Sequence, residues 1–515
     1  MKETLKEYKD IFISFVKNKT YLYSIIFVAI LSYGFTITHS AIGADDLCLD
    51  KYIEGTYILS QKRWGTWLLY NVLGVTSFTP FWLEAVVVAV LVFIAIIVCT
   101  FMKKILKGNV NIWPYVVFST VFISNPIIFR FFMYQPTNLS VVVSNALIII
   151  LAIILVENLW NRKNKLNYLW IGLALILPLS MYESAAQTYV LVLLMVCLLK
   201  AFVEQITLKE VIKILGLGIL SIAIGCLGYY VIGKILINIL EKTNNLQIDF
   251  AQHEILWIEE SFINLNLVEK FKLIYAKVMA PLIYDIKDFL PVTVFAITSF
   301  IAILVELKNT VKTSKCIKLL LLLGVIFSNF VLIIMQGDIK YRTLFSWSIV
   351  TGFLAMYIFI NINKNKLIKY VVVTAIILVV IVQSRSLNQQ FYAEYKKYEK
   401  EKALAIEIAR DLGEIETCKE KPLVYVITKV NPQYYVADSD NGAPVLIWGS
   451  RAFGQYGIET TKFINHFGFS FKYATEEDYN QAMQEYEQLD ETQKDKYLIE
   501  TSTCIIVNLD KYMFV

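Results

Sequence analysis

Charge is what this sequence has least of. Asp, Glu, Lys and Arg make up 18% of its 515 residues, against about 25% for a soluble chain. The deficit falls in long apolar runs, and 57% of residues are hydrophobic. An ordinary soluble globule is thereby excluded, and a membrane protein is the first assignment. Histidine occurs three times, and the seven cysteines form no CxxC pair and no Cys/His cluster, so a structural metal site is not expected. Nothing calls for a cofactor, and a divalent metal is left open without being indicated. The chain also lacks a P-loop and the glycine fingerprint of a Rossmann unit. Its net charge of +5 comes from lysines scattered through short loops rather than gathered on one face, which speaks against nucleic acid as a partner. The charged N-terminal segment has no small-residue cleavage site, so the first apolar run reads as a retained helix, not a signal peptide.

What is present is a series of apolar runs near residues 20–38, 82–102, 111–128, 139–157, 167–181, 185–203, 211–233, 289–306, 317–335, 343–362 and 367–383. Each approaches the roughly 20 residues that a spanning helix needs, the fifth being short. The expected fold is an all-α polytopic membrane domain of about eleven transmembrane helices over residues 1–383. A small soluble α/β domain follows over 384–515. Lysines and arginines recur in alternate short loops, around Lys103, Arg162, Lys200, Lys308 and Lys364, as well as in the N-terminal segment. Those loops should be cytoplasmic. The segments 39–81, 129–138, 182–184, 234–288 and 336–342 should then face outward, with the N-terminus cytoplasmic and the C-terminal domain outside the plasma membrane.

Segment 234–288 carries Phe262, Ile263, Leu265, Leu267, Phe271, Leu273 and Ile274 among charges, the pattern of an amphipathic surface helix. In the tail, residues 388–417 read as a long polar helix. Leu423–Ile427, Val445–Trp448 and Cys504–Val507 read as strands, and 475–496 as helix. The tail has no catalytic motif, and its polarity fits a role in holding a polymeric acceptor. Cys48, Cys418 and Cys504 are the outward cysteines; a disulfide between the last two is weighed against spare thiols.

Candidate chemistry lies at the outer helix ends. Asp45 and Asp46 follow the first span, and taken singly each reads as a solvated interfacial carboxylate. As adjacent acids they repel, so one can keep a proton affinity useful to a base. Arg63 and Trp64 come next, then Arg130 with Tyr134 and Gln135, and Arg342 in the last outer loop. Each arginine can snorkel to lipid headgroups or bind a phosphate with its two-pronged guanidinium. Tyr182 and Glu183 interrupt an apolar stretch of more than thirty residues, as a tight turn or as a functional pair. Glu84 and Asp338 are weaker candidates.

Ala44-Asp45-Asp46, the later Lys62-Arg63-Trp64-Gly65 and the Ser180-Met181-Tyr182-Glu183 turn resemble the glucosyltransferase II family over roughly residues 20–385. Lys62 stands where that pattern has Gly, and Glu183 where it has Gln. The resemblance implies a membrane glycosyltransferase of the GT-C type. Such an enzyme moves a sugar from a polyprenyl-phosphate donor to a cell-surface glycan or glycolipid. It implies an inverting reaction with Asp45 or Asp46 as general base, Arg63, Arg130 and Arg342 toward the donor phosphate, and Trp64, Tyr134, Gln135, Tyr182 and Glu183 toward sugar or acceptor. A flippase or transporter of lipid-linked saccharides, and a polysaccharide polymerase or ligase, are the alternatives. A transporter usually places its ionisable residues at mid-membrane and carries inverted repeats. Here they sit at helix ends and no repeat is visible.

Overall fold

The computed structural model describes residues 2–43, 45–48, 58–59, 61–75, 79–107, 110–160, 167–204, 206–244, 265–280, 283, 290–308, 312–330, 341–362, 366–427 and 457–513. Its helices, in chain order, begin with α1 (Lys2–Lys17), α2 (Lys19–Thr38), α3 (Trp64–Leu73), α4 (Trp82–Ile105) and α5 (Trp113–Ile123). Next come the single-turn α6 (Phe129–Phe132), α7 (Gln135–Trp160), α8 (Asn167–Met181), α9 (Ala185–Val203) and α10 (Leu208–Asn244). Then follow α11 (Leu267–Ala280), α12 (Leu290–Lys308), α13 (Lys312–Phe327), α14 (Phe345–Ile362) and α15 (Lys366–Leu412).

Nine apolar helical stretches among the described residues are long enough to cross a membrane: α2, α4, Trp113–Phe132, α7, α9, Leu208–Ile239 of α10, α12, α14 and Leu367–Leu412 of α15. The other two expected spans fall on shorter apolar helices, Tyr168–Met181 and Cys316–Phe330. The first holds Pro178 inside it, where ring and missing N–H weaken the ladder. Spanning helices are apolar all round because lipid and neighbouring helices are both apolar solvents, and their backbone groups are satisfied internally. Amphipathic α11 falls in the expected outer segment, with Leu267, Val268, Phe271 and Tyr275 exposed. Phe262 and Ile263, the Val445–Trp448 run and Asp338 lie outside the described residues.

The chain divides into two compact units. The first comprises Met1–Ile37, Lys51–Phe132 and Thr137–Asn388. Its closest helix pair is α8 with α10, and a Cβ at Gly172 of α8 would come within 2.8 Å of the Ile224 side chain. The second comprises Thr38–Asp50, Met133–Pro136 and Gln389–Val515, so it holds parts of two segments expected to face outward besides the tail. The polar helix expected over 388–417 is the later part of α15, with no break at Ser384.

In the second unit a four-stranded sheet forms from β1 (Pro422–Val426), β2 (Lys472–Tyr473), β3 (Leu498–Glu500) and β4 (Ile505–Asn508) in the order β2-β1-β4-β3. The pairs β1/β2 and β1/β4 are parallel, with Leu423 opposite Ile505, and β3/β4 is antiparallel. Side chains alternate across β1. Val424 and Val426 enter a core with Ala482, Cys504 and Ile506, while the Tyr425 hydroxyl meets Thr461 at 2.9 Å on α16 (Ile458–His466). The helix expected over 475–496 divides into α17 (Glu476–Glu487), opened by a Thr475/Asp478 capping box, and one turn, α18 (Glu491–Lys494), capped by Asp490. The first of these helices ends at Gln488, its C-cap, and Asp490 opens the next by accepting from the Gln493 N–H. Strands β2 and β3 were not expected. Cys418 and Cys504 are both buried free thiols, so the weighed disulfide is not formed; Cys504 serves as a small apolar core residue.

Candidate functional site

The first unit draws the arginines into one linked run. Arg63 stands just before the first turn of α3, with φ −89° and ψ 48° and no side-chain cap bond. Its Nε donates to Glu183 Oε2 at 3.2 Å and its Nη1 to Gln61 Oε1 at 3.0 Å. Its guanidinium lies 5.0 Å from the centre of the Tyr182 ring, within cation–π range. The Tyr182 hydroxyl reaches the Arg342 carbonyl at 3.5 Å. Arg342 belongs to the turn Tyr341–Thr343, against which α6 packs. There the Arg130 guanidinium is 5.9 Å from the Tyr341 ring. Burial pushes the Tyr182 phenol above its ordinary range, and the charges of Arg63 and Arg342 pull it back. A buried neutral phenol therefore faces two cations.

Local sequence explains how α3 is held. Trp64 Nε1 donates to the Tyr229 carbonyl at 3.2 Å, and Thr66 Oγ1 to the Met181 carbonyl at 2.8 Å. Between them, Gly65 lies so close to the end of α8 that a Cβ would meet Ser180 Oγ at 2.3 Å and Met181 N at 3.0 Å. Only glycine admits that approach. Lys62 has φ +60°, a left-handed conformation that costs a non-glycine residue about 1 kcal/mol or more. Its ammonium sits 4.9 Å from the Tyr230 ring centre. Glycine, which the resemblance leads one to expect at this position, is thus the residue the backbone prefers.

The acid pair belongs to the second unit. Asp45–Cys48 form a 3-10 turn that packs against α16. Asp46 is 4% exposed. Its Oδ2 accepts from the Gly43 N–H at 2.7 Å and its Oδ1 from the Gln135 N–H at 3.1 Å. One carboxylate thereby ties the segment after α2 to the segment before α7, next to Tyr134. Of Asp45 the structure describes the backbone alone. Before the turn, His39 stacks edge-on against Tyr395 at 5.3 Å. Tyr395 leads through Tyr398 to Phe463 and Phe467.

The expected residues therefore fall into two groups. Arg63, Trp64, Arg130, Tyr182, Glu183 and Arg342 lie in the first unit, and Asp45, Asp46, Tyr134 and Gln135 in the second. Glu84 is buried in the first turn of α4. Sequence reasoning passed over Gln61, Tyr341 and Gln187, whose amide Nε2 donates to the Thr343 carbonyl at 3.3 Å. A polar residue one turn beyond Glu183 in an apolar helix was the signal available for Gln187.

Comparison with curated proteins and with solved structures gives no match. A model of the family described as Glucosyl transferase GtrII matches residues 34–359, more than half of the chain and a range that takes in both groups of residues. Apolar helices of membrane-crossing length, an arginine run at their ends and this match agree: the chain belongs to the GtrII glucosyl transferase family, a membrane glycosyltransferase.

Proposed function

We propose that the protein moves a glucosyl unit from a polyprenyl-phosphate donor to a glycan or glycolipid at the cell surface, with inversion at the anomeric carbon. The reaction takes place outside the plasma membrane, in a GT-C-type scaffold whose N-terminus is cytoplasmic. The acceptor hydroxyl oxygen attacks the anomeric carbon, and the bond to the phosphate oxygen breaks. Its electron pair stays on the polyprenyl phosphate, and the acceptor's proton passes to an aspartate. A phosphate leaving group is already a stable anion, so it needs cations more than an acid. The observation that carries this reading is the run of Arg63, Arg342 and Arg130 joined through Tyr182 and Tyr341. Guanidinium is suited to phosphate oxygens in pairs.

Asp45 is the favoured base. Both oxygens of Asp46 already accept backbone N–H bonds, which suits it to fixing the turn on which Asp45 stands. Tyr182 and Glu183 are assigned to sugar or acceptor, as are Trp64, Tyr134 and Gln135. The test is sugar transfer by Asp45→Asn and Asp46→Asn proteins that insert normally. Loss of proton acceptance at nearly constant size should cut turnover about 100-fold while sparing donor binding. Near wild-type transfer by both variants, singly and together, would remove the mechanism. A reporter fused after Val515 tests the orientation, and activity of a cytoplasmic reporter alone would reverse it.

A further inference from the structure

Gln187 is a buried amide in the first turn of α9, 1% exposed. Its Nε2 donates to the carbonyl of Thr343, the residue next to Arg342. A carbonyl can only accept, so this contact fixes the amide's orientation: nitrogen toward Thr343, oxygen away. The oxygen, Oε1, is buried and has no hydrogen-bond partner. Buried acceptors in native folds are nearly always satisfied, and an exception calls for a missing partner. The surroundings narrow that partner's chemistry. Gln187 lies four residues after Glu183, which stands in the turn just before α9. It grips the same short turn that Tyr182 grips through Arg342. An acceptor at this place repels phosphate oxygens and needs a donor, in a site whose cations take the phosphate.

We propose that Gln187 Oε1 accepts a hydrogen bond from a hydroxyl of the donor's sugar and so helps set which sugar is used. This rests on the polyprenyl-phosphate reading above, and it assigns the sugar end of that same donor. Two nearby polar side chains are engaged elsewhere, while the buried Ser184 hydroxyl, able to donate as well as accept, makes no hydrogen bond. Ser144 Oγ donates to the Pro178 carbonyl at 2.8 Å, and the Thr188 hydroxyl donates to Asn145 Oδ1. Among the described residues, Gln187 is thus the amide acceptor left over beside the arginine-bearing turn. A site built to hydrogen-bond a hydroxyl discriminates strongly against ligands that lack it.

The experiment compares two probes on the purified full chain: glucosyl-phosphoryl polyprenol and polyprenyl phosphate without sugar. The variant is Gln187→Met, which keeps length and removes the amide. It should bind the glucosyl lipid about 10-fold more weakly and the bare polyprenyl phosphate as wild type does. As a check free of any folding defect, wild-type protein is given deoxyglucosyl donors. One deoxy position should lose about 10-fold, and the others should lose little. Wild-type affinity of Gln187→Met for the glucosyl lipid, or equal weakening for both lipids, would overturn the proposal while leaving the donor reading standing. Equal use of every deoxy donor by wild type would overturn it too. Failure of wild-type protein to bind either lipid better than free polyprenol would overturn both.

Discussion

The arginine run and the acid turn are both charged, both at helix ends, and built by opposite means. The arginines are held side chain to side chain: Arg63 by Glu183, Gln61 and the Tyr182 face, Arg130 by Tyr341. Asp46 is held by main chain, through the N–H groups of Gly43 and Gln135. A guanidinium packed on an aromatic face keeps its full charge, and charge is what a phosphate needs. A carboxylate locked by two amides instead fixes where its neighbours stand. The first design suits binding a ligand, the second suits positioning a group.

The largest break in this comparison should come from cutting the chain at Ser384. The acid turn packs on α16, which the cut removes, and the His39–Tyr395 contact goes with it. Transfer to polymer and hydrolysis of the donor should both fall to background in protein that still inserts. An acceptor-holding role alone would lower only the former, so assaying the two activities side by side separates these readings. Gly65→Ala comes next, because its Cβ must displace Ser180 and the Met181 backbone. A loss of about 1–3 kcal/mol is expected from such overpacking, read as a lower melting temperature of the purified protein; an unchanged melting temperature would show that α3 yields freely.

On the ligand-binding side, Arg63→Lys keeps the charge but cannot serve Glu183 and Gln61 together as a fork does. Donor use should fall about 10-fold, and wild-type kinetics would show that the run tolerates any cation. A double-mutant cycle of Arg63→Lys with Glu183→Gln should give a coupling of about 1 kcal/mol. The smallest effect belongs to a helix cap in the C-terminal part of the second unit. Thr475→Ala removes the capping box of α17 and should cost about 1 kcal/mol. The Ser502 hydroxyl and N–H hold the Glu485 carboxyl below its ordinary range. A carboxylate depressed by folding stabilises above its unfolded pKa and loses that contribution as pH falls through the folded value. Acid below about pH 4 should therefore loosen this domain, and Ser502→Ala should flatten that dependence.

The helices were legible because an uncharged apolar run of span length is too costly to leave in water and too long for a strand. Over its described residues, each of the eleven expected runs falls mainly on helix. The shortness of Tyr168–Met181 was visible too, in the close approach of Pro178 and Tyr182. The second unit was harder. Short apolar runs of strand length found β1 and β4, but β2 and β3 are two and three residues long and fall below what a pattern can register. That Asp46 would be bound by the Gln135 backbone is a contact across 89 positions, and no local spacing encodes it. The arginines were found as residue types at helix ends. Their aromatic partners were missed in part, since Tyr341 looked like one more interfacial tyrosine among 31.

The close packing of α8 on α10 also bears on how the chain is made. Tyr168–Met181 spans about 21 Å as a helix, short of the roughly 30 Å hydrocarbon layer, and Pro178 weakens it further. It is poorly suited to remain in lipid on its own. Its closest partner, α10, is two helices later in the sequence. At about 5–20 residues per second, several seconds of synthesis separate the two, and during that interval α8 depends on α9 or on the insertion machinery. Substitutions that widen the seam, such as Gly172→Val, should accordingly reduce the amount of protein that reaches the membrane before they affect what the finished protein does.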